Sequence, residues 1–184
     1  MKTEQQYFEE GVSMATYMEQ MTAHKEASFQ VYNAFEIPSG DEFTEELAAK
    51  NVHILAITED WCGDAMVNNP IMRKMAEAAN VEIRTVLRDA DPALIDRHLT
   101  NGGRSIPIYL FLNEAGEVVS KWGPRAPKLQ QIVDEGRAAL PEKESEGFEV
   151  AQKAFYTNLT ERYATESGLW HEVYASIKEA VRKI

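Results

Sequence analysis

Cys62 is the one cysteine in a chain of 184 residues, and it stands in the run Glu59-Asp60-Trp61-Cys62-Gly63-Asp64-Ala65. A thiol acts as a nucleophile through its thiolate. Attack on a disulfide gives a mixed disulfide, which a second thiol must then break. With no other sulfhydryl in the chain, that second thiol has to come from a small molecule or another protein. Single-thiol exchange completed from outside is the chemistry open to Cys62, and it requires no cofactor. His24, His53, His98 and His171 are far apart in sequence and none stands at ligand spacing from another His or Cys, so no metal site is expected.

The neighbouring segments predict how the sulfur is held. Asn51 to Thr58 (NVHILAIT) is an apolar, partly β-branched run of the length of a buried strand, and a helical stretch from about Ala65 to Asn80 follows the Trp-Cys-Gly turn. A cysteine at that junction faces unpaired backbone N–H groups and the positive end of the helix dipole, which favour thiolate by ~0.3–1 kcal/mol and by up to ~2 kcal/mol when partly buried. Glu59, Asp60 and Asp64 oppose this, each carboxylate near 4 Å costing about 1 kcal/mol even in water. These effects nearly cancel, so the expected thiol pKa is close to or modestly below ~8.5.

At this point the chain resembles the thioredoxin superfamily, whose signature turn is Trp-Cys-Gly-Pro-Cys. Trp61, Cys62 and Gly63 match it; Asp64 stands at the proline position and Ala65 at the resolving cysteine. Pro70 matches the helix-kinking proline, and Ser105-Ile106-Pro107 before the apolar run Ile108 to Leu112 matches the cis-proline loop. The likeness spans about Glu42 to Leu140. It implies an α/β thioredoxin-like fold: a central mixed sheet flanked by helices. A buried aspartate that the family carries six residues before the first cysteine is Ala56 here, so the resolving thiol and its proton-managing acid are absent together.

The resemblance also implies a groove in which the backbone before the cis-proline pairs with an extended peptide. Trp61, Gly63, Asp64, Ile106, Pro107 and Trp122 are its expected lining, with Arg125 available for a carboxylate. Protein or small-molecule thiols and disulfides are the expected partners. Three functions follow: a monothiol thiol–disulfide oxidoreductase, a redox-inactive binding module that keeps the groove, and a sensor whose lone thiol dimerises or forms a sulfenic acid.

The remaining chain supplies the scaffold. Val81 to Leu87 predicts the strand that completes a right-handed βαβ unit. Asp91-Pro92 opens a helix with Leu94, Ile95, His98 and Leu99 on one face. Ile108 to Leu112 and Glu117 to Trp122 form a hairpin, and Pro127 to Leu140 a closing helix. Residues 1–41 form an N-terminal extension of one or two amphipathic helices, 42–140 the thioredoxin-like core, and 141–184 a C-terminal helix bent or broken near Gly168. These extensions either complete and cover the core, or form a dimer interface or a cover that limits what reaches Cys62. A composition 44% hydrophobic supports one core and a single structural domain. The net charge of −11 argues against nucleic acid or an anionic membrane as partner. No apolar run approaches the ~20 residues of a membrane helix. An N-terminus without an apolar signal core and a lone cysteine point to the cytoplasm.

Overall fold

The computed structural model describes residues 1–184. Helices α1 (Glu4–Glu10), α2 (Met14–Gln20), α3 (Lys25–Ala34) and α4 (Phe43–Ala49) precede the central strands, with the short strand β1 (Val12–Ser13) between the first two. Strand β2 (His53–Thr58) leads into α5 (Gly63–Ala78), which returns to β3 (Ile83–Leu87). A single helical turn, α6 (Pro92–Ile95), and the loop to Pro107 precede the hairpin β4 (Ile108–Leu112) and β5 (Val118–Trp122). Helices α7 (Pro127–Ala138), α8 (Phe148–Thr165) and α9 (Ser167–Arg182) complete the chain.

The five strands lie in the order β1-β3-β2-β4-β5, with β2 and β3 parallel and the other neighbours antiparallel. Side chains alternate across a strand, and both faces are buried. Ile54 and Ala56 of β2 join Tyr109 and Phe111 of β4 in the larger core, under α3, α5, α8 and α9. Leu55 and Ile57 join Ile108, Leu110 and Leu112 in a smaller core closed by α1 and α6 through Tyr7, Phe8, Leu94 and Ile95. This is the three-layered α/β fold expected from the sequence.

One detail departs from expectation. The N-terminal extension is not wholly helical: Val12 and Ser13 pair with Thr85 and Arg84 and add an edge strand to the sheet. Its helices are short pieces, separated by Gly11 and by the left-handed backbone of His24. The C-terminal segment is broken near Gly168, at Glu166, whose extended ψ of 97° separates α8 from α9.

Helix α5 carries Pro70 in its interior. Proline has no N–H to give the carbonyl four residues back, so the Met66 carbonyl is left free. The buried Ser28 hydroxyl of α3 donates to that oxygen at 3.0 Å. A gap in one helix thus becomes the point at which another is fastened to it.

Candidate functional site

Cys62 caps the N-terminus of α5, its backbone extended (φ −84°, ψ 120°) and its carbonyl accepting from the Met66 N–H at 3.0 Å. The half-buried Sγ donates to the Ile106 carbonyl oxygen at 3.6 Å. The Ile106–Pro107 bond is cis, and Pro107 is buried beside the strand it leads into. Residues 44 positions apart in the chain therefore meet where the resemblance implied. Trp61 is 51% exposed, with the Arg88 guanidinium 5.0 Å from its ring centroid. Ala65, at the resolving position, is buried in the core, as is Ala56.

The sulfur opens onto a cavity of about 690 Å³. Trp61, Ser105 and Ile106 form one side, and the face of α8 bearing Tyr156, Thr160 and Tyr163 forms the other. Contact is close enough that a Cβ on Gly63 would lie 3.3 Å from the Thr160 hydroxyl. Further along, the ring of Phe155 occupies the space where a Cβ on Gly136 would stand, which brings α8 down onto α7. Sequence reasoning missed these wall residues. Tyr156, Thr160 and Tyr163 do recur at helical spacing, but Phe155, Leu159 and Arg162 form an equally regular stripe on the same segment.

Asp64 lines the cavity at Cys62, with its carboxylate committed to partners within the protein. It is 9% exposed and bound at both oxygens by Arg125, Nε to Oδ1 at 2.9 Å and Nη2 to Oδ2 at 2.7 Å. The Tyr163 hydroxyl donates to Oδ1 at 3.2 Å, so one carboxylate ties α5 to the loop before α7 and to α8. Burial raises its pKa above the usual carboxylate range despite Arg125 and Tyr163. Arg125, expected to be available to a substrate, also donates to the Gln130 side chain at 3.0 Å. Trp122 departs from the expected lining. Its ring is buried against Tyr109, and its N–H donates to Ser176 of α9 at 2.9 Å, so it holds α9 rather than lining the cavity at Cys62.

Burial, followed by the Asp64 charge, pushes the Cys62 thiol up to about 11, while the Asp64 and Ala65 N–H groups and Arg125 pull the other way. The near-cancellation expected from sequence lacked the largest effect, desolvation by burial. It also counted carboxylates that are occupied elsewhere. Glu59 accepts from the Asp89 N–H at 2.9 Å, and one Asp60 oxygen accepts from the Thr22 and Ala23 N–H groups at 2.8 and 3.0 Å.

The loop Gly123–Ala126 crosses behind Pro107. Gly123 has φ +120°, and a Cβ there would fall 2.2 Å from the Pro107 carbonyl oxygen, so only glycine fits. The next bond, Gly123–Pro124, is also cis. The buried Asn68 amide of α5 donates to the Pro124 carbonyl at 2.9 Å. Cys62, Pro107 and Pro124 are thus fixed against one another by one helix.

Fold and site together define a thioredoxin-like protein with one sulfur at the helix tip. A family model described as thioredoxin matches residues 11–139, and the chain belongs to that family. Among solved structures, a protein of unknown function from Pseudomonas aeruginosa superposes with a TM-score of 0.64 at 20% identity, covering 98% of this chain and 99% of that one. An HIV epitope-scaffold protein superposes with a TM-score of 0.66 at 16% identity, covering 100% of this chain and 99% of that one. At these identities the likeness is one of fold, and it includes the terminal helices. No curated protein matches the chain. No helix is long and apolar enough to cross a membrane.

Proposed function

We propose that the protein is a monothiol thiol–disulfide oxidoreductase. The observation that carries this reading is the Cys62 sulfur 3.6 Å from the Ile106 carbonyl, beside Pro107 and open to a cavity of about 690 Å³. The Cys62 thiolate attacks one sulfur of a bound disulfide R–S–S–R′. A Cys62–S–S–R bond forms as R′–S⁻ leaves. An external thiolate R″–S⁻ then attacks the R sulfur, forming R–S–S–R″ and returning Cys62 as thiolate. Each step exchanges one S–S bond for another and leaves the electron count unchanged.

A thiol near 11 makes attack slow at neutral pH, because only about 10⁻⁴ of it is ionised. It also makes Cys62 a poor leaving group, so a mixed disulfide with its partner sulfur turns over slowly. The reading supplies cytosolic thiols as partners and the cytoplasm as compartment, in keeping with a lone unpaired cysteine.

The elevated thiol also favours a second reading, a redox-inactive module that binds extended peptides along Ile106 and Pro107. Turnover of a glutathionylated model peptide with a small-thiol reductant, measured for wild type and Cys62→Ser, separates the two. Cys62-dependent turnover that steepens with pH supports the oxidoreductase. No turnover up to pH 10, with peptide binding equal in both proteins, replaces it with the module.

A further inference from the structure

A second cavity, of about 560 Å³, lies beyond the carboxyl ends of the parallel strands β2 and β3, covered by α1 and α2. The segment Glu59–Cys62 divides it from the first: Glu59 and Asp60 face this cavity, Trp61 and Cys62 the other. Its floor is apolar and aromatic, with Tyr7, Tyr17, Met21, Ile57 and Val86 in its lining. Crevices at the carboxyl ends of parallel strands, apolar with a few convergent polar groups, are where α/β proteins hold small ligands.

The charge around this floor has one dominant sign. Glu10, Glu59, Asp60 and Asp91 line the cavity, with Lys2 as the sole cation. Glu59 is 8% exposed and lines the cavity, and only one of its oxygens accepts a hydrogen bond from the protein. A carboxylate that deep normally has its lone pairs matched. The Tyr17 hydroxyl, on a side chain 6% exposed, is also without a partner. Lys2 shows how an ammonium fits this environment: its Nζ lies 5.3 Å from the Tyr7 ring centroid and 2.5 Å from Glu10.

We propose that this cavity binds a small organic cation, a primary ammonium on an apolar body of aromatic size. The ammonium meets the open Glu59 oxygen, and the body lies on Tyr7, Tyr17 and Met21. The site is independent of thiol exchange, since none of these contacts involves Cys62.

Isothermal titration of the full chain with phenethylammonium, 2-phenylethanol and phenylacetate tests it, because the three share a body and differ in charge. The cation is expected to bind at least about tenfold more tightly than the neutral alcohol, and the anion not at all. Glu59→Gln should lose about tenfold in affinity for the cation. Lys2→Ala, an exposed change that cannot unfold the protein, should gain several-fold by removing the competing ammonium. Equal binding of cation and alcohol, preferential binding of the anion, or no binding of the cation at millimolar concentration overturns the proposal. Should Glu59→Gln fail to fold, an unchanged affinity in Lys2→Ala overturns it.

Discussion

Asp64 and Arg125, 61 residues apart, close a two-pronged ion pair beside the Cys62 sulfur, and Tyr163 adds a third bond to the same carboxylate. The position that a thioredoxin-type turn gives to proline here holds a charge. That charge serves two ends at once. It fastens α8 over the cavity, and it raises the energy of a neighbouring thiolate.

Asp64→Asn separates these effects. With the negative charge gone, the Cys62 thiol titrates lower than about 11, and iodoacetamide modification at pH 8 becomes faster. Stability falls by about 3 to 5 kcal/mol, because Arg125 is left buried without its counter-charge. Alkylation rate against pH and a urea melt read the two outcomes. A thiol midpoint unchanged in the variant would show that burial alone sets it.

Stability should decline in alkaline solution through Cys62. Below about 9 the thiol is protonated in both folded and unfolded chains, and its contribution is constant. Between about 9 and 11 the unfolded chain has lost the proton while the folded chain keeps it, so the unfolded state binds fewer protons and stability drops as pH rises. The full loss is about 2 to 3 kcal/mol. Urea melts of wild type and Cys62→Ala at pH 8 and pH 11 should show the wild type losing that much more than the variant.

Gly123→Ala should cost about 3 kcal/mol or more, since it combines a disfavoured backbone with a Cβ pressed on the Pro107 carbonyl. Gly102→Ala is the matched control: its φ is +76°, but nothing stands within 4 Å of the added carbon. That change should cost only about 1 kcal/mol. Equal costs in chemical denaturation would mean that the crossing of the two loops contributes nothing.

Ser28→Ala should destabilise by about 1 to 3 kcal/mol, the cost of leaving the Met66 carbonyl buried and unpaired. Replacing Pro70 by alanine in the same protein restores an N–H for that carbonyl, so the double variant should recover part of the loss. A thermal melt series of the four proteins gives the coupling directly.

What the sequence carries is local, and what it hides is contact between distant segments. Strand β2, helix α5 and the hairpin follow from apolar runs and turn residues, and the meeting of Cys62 with Ile106 follows from family landmarks. The edge strand β1 is two exposed residues set among helical ones, too short to show a period of two. Trp122 looked like a groove residue because it adjoins the loop carrying Pro124, yet it ends a strand and turns inward to Ser176. Glu59 and Asp60 looked like neighbours of the thiol, and only their tertiary partners reveal that they face away. Nothing in the chain marked Tyr163 for Asp64 across 99 positions.

One wall of the cavity at Cys62 is α8, residues 148–165, which is synthesised after the sheet and the helix that it covers. Domains begin folding from the N-terminus as they emerge from the ribosome. Until α8 has docked, the sulfur stands at a helix tip without that wall, and burial opposes its ionisation less. The nascent protein is therefore more open to oxidants and alkylating agents than the folded one, and the docking of α8 is itself the step that quiets the thiol.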